Sequence, residues 1–285
     1  MRNFYEIIKD SLFFNKFEIN DTICVEYSCP LENERAAICS QSDYIIYVLS
    51  GKKTWKTING EWIMVAGDIL YVKKGATLVH QNFEDDFCML GFFISDDLIQ
   101  ESMQELDLKT AYKTPVHQFT AAPLASDTYL EGFFQSMLSY FKGENQPQEA
   151  LLKLKLKELL VNISYNKENT HLASYLRSIA ENSQPSLTQI MESNFCYNLS
   201  LSEFAKLSHR SLSTFKRDFH NHYNTSPGKW LLSKRLDYSA NLLLKNSSSI
   251  TDVAYESGFE DTSHFSRAFK TRFGVPPSEY SKVPV

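Results

Sequence analysis

The chain has 285 residues, 43% hydrophobic and 22% charged, with a formal net charge of −5 at neutral pH. That is ample apolar sequence for two domains of ordinary size, and it excludes a disordered or fibrous chain. No apolar run approaches the ~20 residues that span a bilayer, and Glu6, Lys9 and Asp10 break up the N-terminal MRNFYEIIKDSLFF, so the expected setting is the cytoplasm, away from membranes.

The first part of the chain reads as short strands. Tyr44 to Leu49 is an aromatic and β-branched run closed by Gly51. Thr54 to Ile58 leads into Asn59-Gly60, a hairpin signal, and Trp62 to Val65 ends at Gly67-Asp68. Ile69 to Val72 and Phe87 to Ile94 continue the series. Strands this short, separated by glycine turns, predict an antiparallel barrel or jelly roll. The five cysteines at 24, 29, 39, 88 and 196 include no C-x-x-C pair, which fits reduced thiols. Burial is the expected state of these thiols, with redox sensing through Cys24, Cys29 or Cys39 as the alternative.

The stretch GEWIMVAGDILYVKKGATLVH resembles a cupin segment, with Gly67-Asp68 and Gly75 at its turns and Lys73-Lys74 in place of the usual proline. Both lysines are expected to be exposed at the rim. Cupin enzymes hold a metal with an H-x-H pair, a nearby Glu and a later His. The barrel region offers His80 alone, so no metal, no other cofactor and no catalytic set is expected. Tyr44, Tyr47, Trp55, Trp62 and Tyr71 have the composition of an effector pocket and are its candidate lining.

Two helices are predicted next, over 128–142 and 149–165, with Gly143, Asn145 and Pro147 between them. Leu152, Leu156, Leu159 and Ile163 fall at i, i+4, i+7, i+11, an apolar seam that is the candidate homodimer contact. A small helix over 172–181 is expected within a connector.

From Ser186 onward 12 Lys and Arg stand against 9 Asp and Glu, a net of +3, so the remaining −8 lies in the first 185 residues. A mildly basic end on an acidic chain suits a polyanionic partner. This end is also a repeat: Phe215, Arg217, Phe219, Tyr223 and Pro227 recur fifty places later as Phe265, Arg267, Phe269, Phe273 and Pro277. Upstream, Phe204-Ala205 matches Val253-Ala254 at an offset of forty-nine, leaving one extra residue where a turn falls. Each copy has the form of a helix-turn-helix. Ser200 with Glu203, and Ser249 with Asp252, have capping-box spacing. Gly258 marks the second turn, whereas the first, Ser208-His209-Arg210, has no glycine. Leu212, Phe215 and Phe219 form the predicted inward stripe of the first recognition helix. Between the copies, Ser226-Pro227 opens a long helix to about Leu244. Its seventeen or so residues span ~26 Å, enough to place two recognition helices in successive major-groove segments ~34 Å apart.

Arg235-Leu236, Ala240, Leu243-Leu244, Ile250, Val253-Ala254, Gly258-Phe259, Phe265, Arg267, Phe269, Phe273-Gly274 and Pro276-Pro277 together resemble the C-terminal signature of the AraC/XylS family of bacterial transcription factors. The resemblance covers about a third of the chain. It implies a double-stranded DNA reader with Ser213, Lys216 and Arg217 on the first recognition helix and Thr262, Ser263, Ser266 and Arg267 on the second, joined by Lys270 on the same outward face. It also implies a homodimer, an effector that is a small molecule or a regulatory protein, and RNA polymerase as a further partner. The N-terminal portion resembles the type III secretion activators of that family, in which a protein gives control.

The expected architecture is therefore α+β: a cupin-like antiparallel β-barrel with helices for sensing and dimerisation over 1–166, a helical linker over 167–185, and an all-α tandem helix-turn-helix over 186–285. Two other classes stay open, a metal-free cupin enzyme with a DNA-binding appendage and a constitutive architectural DNA binder. Turnover of a ligand by the first 165 residues would mark the former, and effector-independent affinity the latter.

Overall fold

In the computed structural model, which describes residues 2–28, 35–81, 86–105, 119–143, 146–181, 186–244 and 249–280, the chain divides into one unit of residues 2–184 and a second of 185–285. The first is β-rich and the second entirely helical among the described residues, an α+β chain of two domains.

The strands of the first unit are β1 (Arg2–Asn3), β2 (Asn15–Ile19), β3 (Thr22–Ser28), β4 (Arg35–Ser40), β5 (Asp43–Ser50), β6 (Lys52–Thr57), β7 (Gly60–Val65), β8 (Ile69–Val72), β9 (Gly75–Gln81), β10 (Cys88–Ile94) and β11 (Ala121–Pro123). They form two sheets, of order β1-β4-β9-β6-β7 and β11-β8-β5-β10-β3-β2, and do not close into the expected barrel. Apart from the parallel β1–β4 pair, every pairing is antiparallel. The Asn59-Gly60 hairpin pairs Thr57 with Gly60. After β7 the chain turns at Gly67, where φ is +93°, a conformation open to a residue without Cβ.

Period-two alternation sets the layers. On β5, Tyr44, Ile46 and Val48 point into a core shared with Trp55, Met64 and Val79 of the five-stranded sheet. Ile45 points the other way, with Tyr71 of β8 and Phe92 of β10, into a second core completed by helices. Those helices are α2 (Asp96–Glu105), α3 (Thr128–Lys142), α4 (Glu149–Tyr165) and α5 (Thr170–Ala180); a short α1 (Phe4–Asp10) packs on the inter-sheet core. The order is thus sheet, sheet, helices.

This layering corrects two expectations. Leu152, Leu156, Leu159 and Ile163 of α4 are buried among Phe17, Phe92 and Phe133, so the seam covers the open face of the six-stranded sheet and is not available to a second subunit. A sheet with both faces apolar needs that cover, at ~1.5–3 kcal/mol per fully buried aliphatic side chain. What α4 leaves outside is Leu151, Leu154 and Tyr165. The helix expected in the connector is α5, and Leu172, Tyr175, Leu176 and Ile179 bury it in the same core. Residues 182–185 of the expected linker lie outside the described residues.

Candidate nucleic-acid interface

The second unit contains α6 (Leu187–Asn194), α7 (Leu201–Leu207), α8 (Leu212–Tyr223), α9 (Pro227–Leu244), α10 (Ile250–Glu256), α11 (Thr262–Phe273) and α12 (Pro277–Tyr280). The repeat in the sequence is a repeat in hydrogen bonding. Both copies open on a serine cap: Ser200 Oγ accepts from the Glu203 amide, which answers through its carboxylate, and Ser249 Oγ accepts from the Asp252 amide. In the first turn the Arg210 amide donates to the Ala205 carbonyl at 2.9 Å, and in the second the Phe259 amide donates to the Ala254 carbonyl at the same distance. His209, at φ +53°, occupies the left-handed position that Gly258 occupies at +85°, so the first turn forms without glycine. Glu260 is the extra residue. It accepts a hydrogen bond from the Asn198 side-chain amide, just before α7.

α8 and α11 each run twelve residues and end alike, with Asn224 and Gly274 left-handed and their amides bonded to the carbonyls of His220 and Lys270 at 2.8 Å. Phe215 and Phe219, like Phe265 and Phe269, are buried against α7 and α9 or their counterparts. Leu212 departs from the expected stripe: at the first helical position it lies outside this aromatic core and is 40% exposed. α9 serves both copies, through Trp230 and Leu231 near its start and Leu236, Ala240 and Leu243 further along.

Opposite the phenylalanines, Ser213, Lys216, Arg217 and His220 stand at i, i+3, i+4, i+7 on α8, and Ser263, Ser266, Arg267 and Lys270 repeat that spacing on α11. All are exposed except Ser266, which is half-buried like Thr262. Arg267 donates Nε–H to the Ser263 carbonyl at 3.3 Å. Asp261 caps α11 through the Ser263 amide at 2.7 Å, and that hydrogen bond, ahead of nearby Arg267, holds its carboxyl below the ordinary range. Two faces of matched shape thus present donors of the kind that read phosphates and guanine edges.

Three residues fix these faces, of which the sequence reading named Arg235 and Arg210 without giving them this role and passed over Asp218. Arg235 of α9 donates to the carbonyls of Phe195 and Tyr197, both at 2.7 Å, and so ties the chain before α7 to α9. Arg210 and Asp218 pair at 3.2 Å and tie the first turn to α8. Their matches in the second copy, Phe259 and Ala268, are an apolar pair, and that exchange is the sequence signal for them.

The candidate pocket residues of the first unit do not converge. Tyr44 and Trp55 are buried between the sheets with Trp62 at the edge of that core, whereas Tyr71 and Tyr47 face the helices, Tyr47 stacked on Phe134 at 4.2 Å. Tyr44 and Tyr47 are three apart on one strand, so the pleat sends them to opposite faces. A cleft of about 140 Å³, lined by Thr22, Ser95, Leu98, Glu101 and Lys153 among others, contains none of the five. The rim lysines are not free either. Lys74 pairs with Asp96 at 2.6 Å, and the Lys73 ammonium lies 3.9 Å from the Tyr175 ring centroid and 4.8 Å from that of Phe119. Burial lowers Lys73 to about 8. Asp43, fully buried, accepts from the Tyr71 hydroxyl at 2.5 Å and the Lys74 amide at 2.7 Å. His80 lies on β9 with its side chain outside the described residues, as is Cys29; burial pushes the Cys24 thiol up to about 12. No group of three metal-ligating side chains and no helix long and apolar enough to cross a membrane occurs among the described residues.

Residues 43–175 match the family described as the ExsA N-terminal regulatory domain, and residues 204–282 match a helix-turn-helix domain family. The chain is 27% identical over 244 residues to the thermoregulatory protein LcrF of Yersinia pestis, covering 83% of this chain and 88% of that one. It is 27% identical over 246 residues to the HTH-type transcriptional regulator ExsA of Pseudomonas aeruginosa, covering 84% and 86%. A crystal structure of an apo ToxT variant from Vibrio cholerae aligns over 92% of this chain and 97% of that one, with 15% identity and a TM-score of 0.45.

Proposed function

We propose that this chain, which belongs to the AraC/XylS family of bacterial transcription regulators and carries a regulatory N-terminal domain before its DNA-binding domain, reads DNA through α8 and α11 together. The observation that carries this is the fifty-residue register between the two outward faces, which places Arg217 and Arg267, and Lys216 and Ser266, at equivalent helical positions. α9, eighteen residues and so ~27 Å long, is a connector of the order needed for two successive major-groove segments of one duplex face. Ser213, Lys216, Arg217, Thr262, Ser263, Ser266, Arg267 and Lys270 form the reading surface.

Residues 2–184 act as the sensing domain and residues 186–280 as the reader. Tyr44, Trp55 and Tyr71 are committed to the two cores, which favours an effector that contacts the outer surface of the sensing domain, a regulatory protein, over a ligand enclosed by those rings. Dimerisation, where it occurs, uses surface other than the α4 seam. The protein works in the cytoplasm with RNA polymerase as a further partner and performs no catalysis. Mapping bound genomic sites and footprinting one of them tests the reading: protection over two adjacent major-groove segments on one face supports it, and protection of one segment alone removes α8 or α11 as a reader.

A further inference from the structure

The two copies lock their turns by different chemistry. In the first, Asp218 Oδ2 accepts from Arg210 Nε at 3.2 Å, and Arg210 Nη1 also donates to the Ser208 carbonyl at 2.7 Å, so the carboxylate is anchored to the turn. Its other oxygen, Oδ1, lies 3.4 Å from Nε and 3.5 Å from Nη2 of Arg217. The three side chains grade outward, Arg210 13% exposed, Asp218 34% and Arg217 70%. In the second copy the same places hold Phe259, buried 5.0 Å from the Phe265 ring, and Ala268, so the residue after Arg267 carries no charge.

An ion pair this exposed adds little to stability. Its weight falls on what Arg217 meets. A carboxylate beside the guanidinium repels phosphates, which lowers affinity for any duplex, and it biases the planar fork toward one orientation, which favours a bidentate pair with one base edge. We infer that Asp218 is a positioning residue that weakens the attraction of α8 for phosphates and makes Arg217 a selective reader of one base edge. This rests on α8 facing DNA as proposed above.

The test uses the full-length protein, the mapped operator, a scrambled duplex of equal length and a series of salt concentrations. Because Asp218→Ala alone strands Arg210, the variants are Asp218→Asn, which keeps an acceptor for the turn, and the double change Arg210→Phe with Asp218→Ala, which copies the second turn. Both should bind the scrambled duplex about threefold to tenfold more tightly, with a salt dependence steeper by about one ion. The preference for operator over scrambled duplex should fall by a similar factor, and Arg217→Ala should abolish that loss of preference. Variants that melt like the parent yet keep its preference and salt slope overturn the inference. Arg217→Ala with undiminished operator affinity instead removes α8 from the interface, a different outcome from unchanged behaviour of the Asp218 variants alone.

Discussion

Gly258 and Gly274 offer a matched pair of substitutions whose costs should differ for a reason visible in the structure. Both glycines are left-handed, at φ +85° and +80°. A Cβ on Gly274 meets nothing within 4 Å, whereas a Cβ on Gly258 lies 2.7 Å from the Cys196 carbonyl oxygen and 3.0 Å from Arg235 Nε. Gly274→Ala should therefore cost only the left-handed penalty, about 1–2 kcal/mol. Gly258→Ala pays that and must also move backbone at Cys196, between the two carbonyls that Arg235 holds at 2.7 Å. Loosening hydrogen bonds to a charged donor adds about 1.5–3 kcal/mol, for a total of about 2.5–5 kcal/mol. Amide hydrogen exchange of α10 and α11 in the full-length variants measures both. Operator affinity should fall with Gly258→Ala, because α11 starts from this turn. Equal destabilisation by the two changes would refute the close approach at Cys196 as the reason for glycine.

Replacing Arg217 or Arg267 by Ala should cost about 1–3 kcal/mol at the operator and relax base preference locally, read by titration against single-base operator variants, with melting unchanged. Glu at both Leu156 and Ile163 should unfold the first unit, by about 5–10 kcal/mol, since both side chains lie in its core. Leu154→Glu, at a side chain 64% exposed, should leave the melt unchanged, and sedimentation with circular dichroism separates unfolding from dissociation in either case. Lys73→Met should stabilise the first unit at pH 7 by about 1–2 kcal/mol, the burial penalty less the contacts with Tyr175 and Phe119. Since burial lowers Lys73 from 10.5 to about 8, the unfolded chain binds the extra proton between those values and parent stability rises with pH there, so the advantage of Met measured by melts should shrink above pH 8.

Strong local signals in the sequence carried over to the structure, and exchangeable ones did not. Helices α3 and α4 keep their expected bounds because Asp127 caps the first and Asn166 ends the second, and β6–β7 turns where Asn59-Gly60 said it would. Strands β2 and β3 went unread, although Asn20 takes the left-handed turn between them at φ +50°, because five and seven residues of mixed polarity carry little periodic signal. The α4 seam was visible, but a leucine stripe does not say whether it meets a sheet of its own chain or a second copy. Only the count of apolar faces decides that, and the six-stranded sheet has two. The pocket failed for the same reason: aromatic composition names candidates, and the pleat assigns Tyr44 and Tyr47 to different cores.

The reading face was more legible, because a tandem repeat supplies its own comparison. Phenylalanines that recur at an offset of fifty must pack, and Arg217 and Arg267, recurring between them at helical spacing, are left with solvent or a partner. Positions where the copies differ carry the further information. His209 against Gly258 shows that the backbone needs a left-handed residue there and that the first copy bears its cost, while close approach to Cys196 restricts the second to glycine. Arg210 with Asp218 against Phe259 with Ala268 exchanges a turn residue and a helix residue together, and in the first copy those two side chains touch. An ionic lock lies partly in solvent and an aromatic one does not, so added salt should weaken the first turn more than the second. On the reading proposed above, the two recognition helices share a scaffold but not a salt response, because Asp218, the residue exchanged for Ala268, is also the charge beside Arg217.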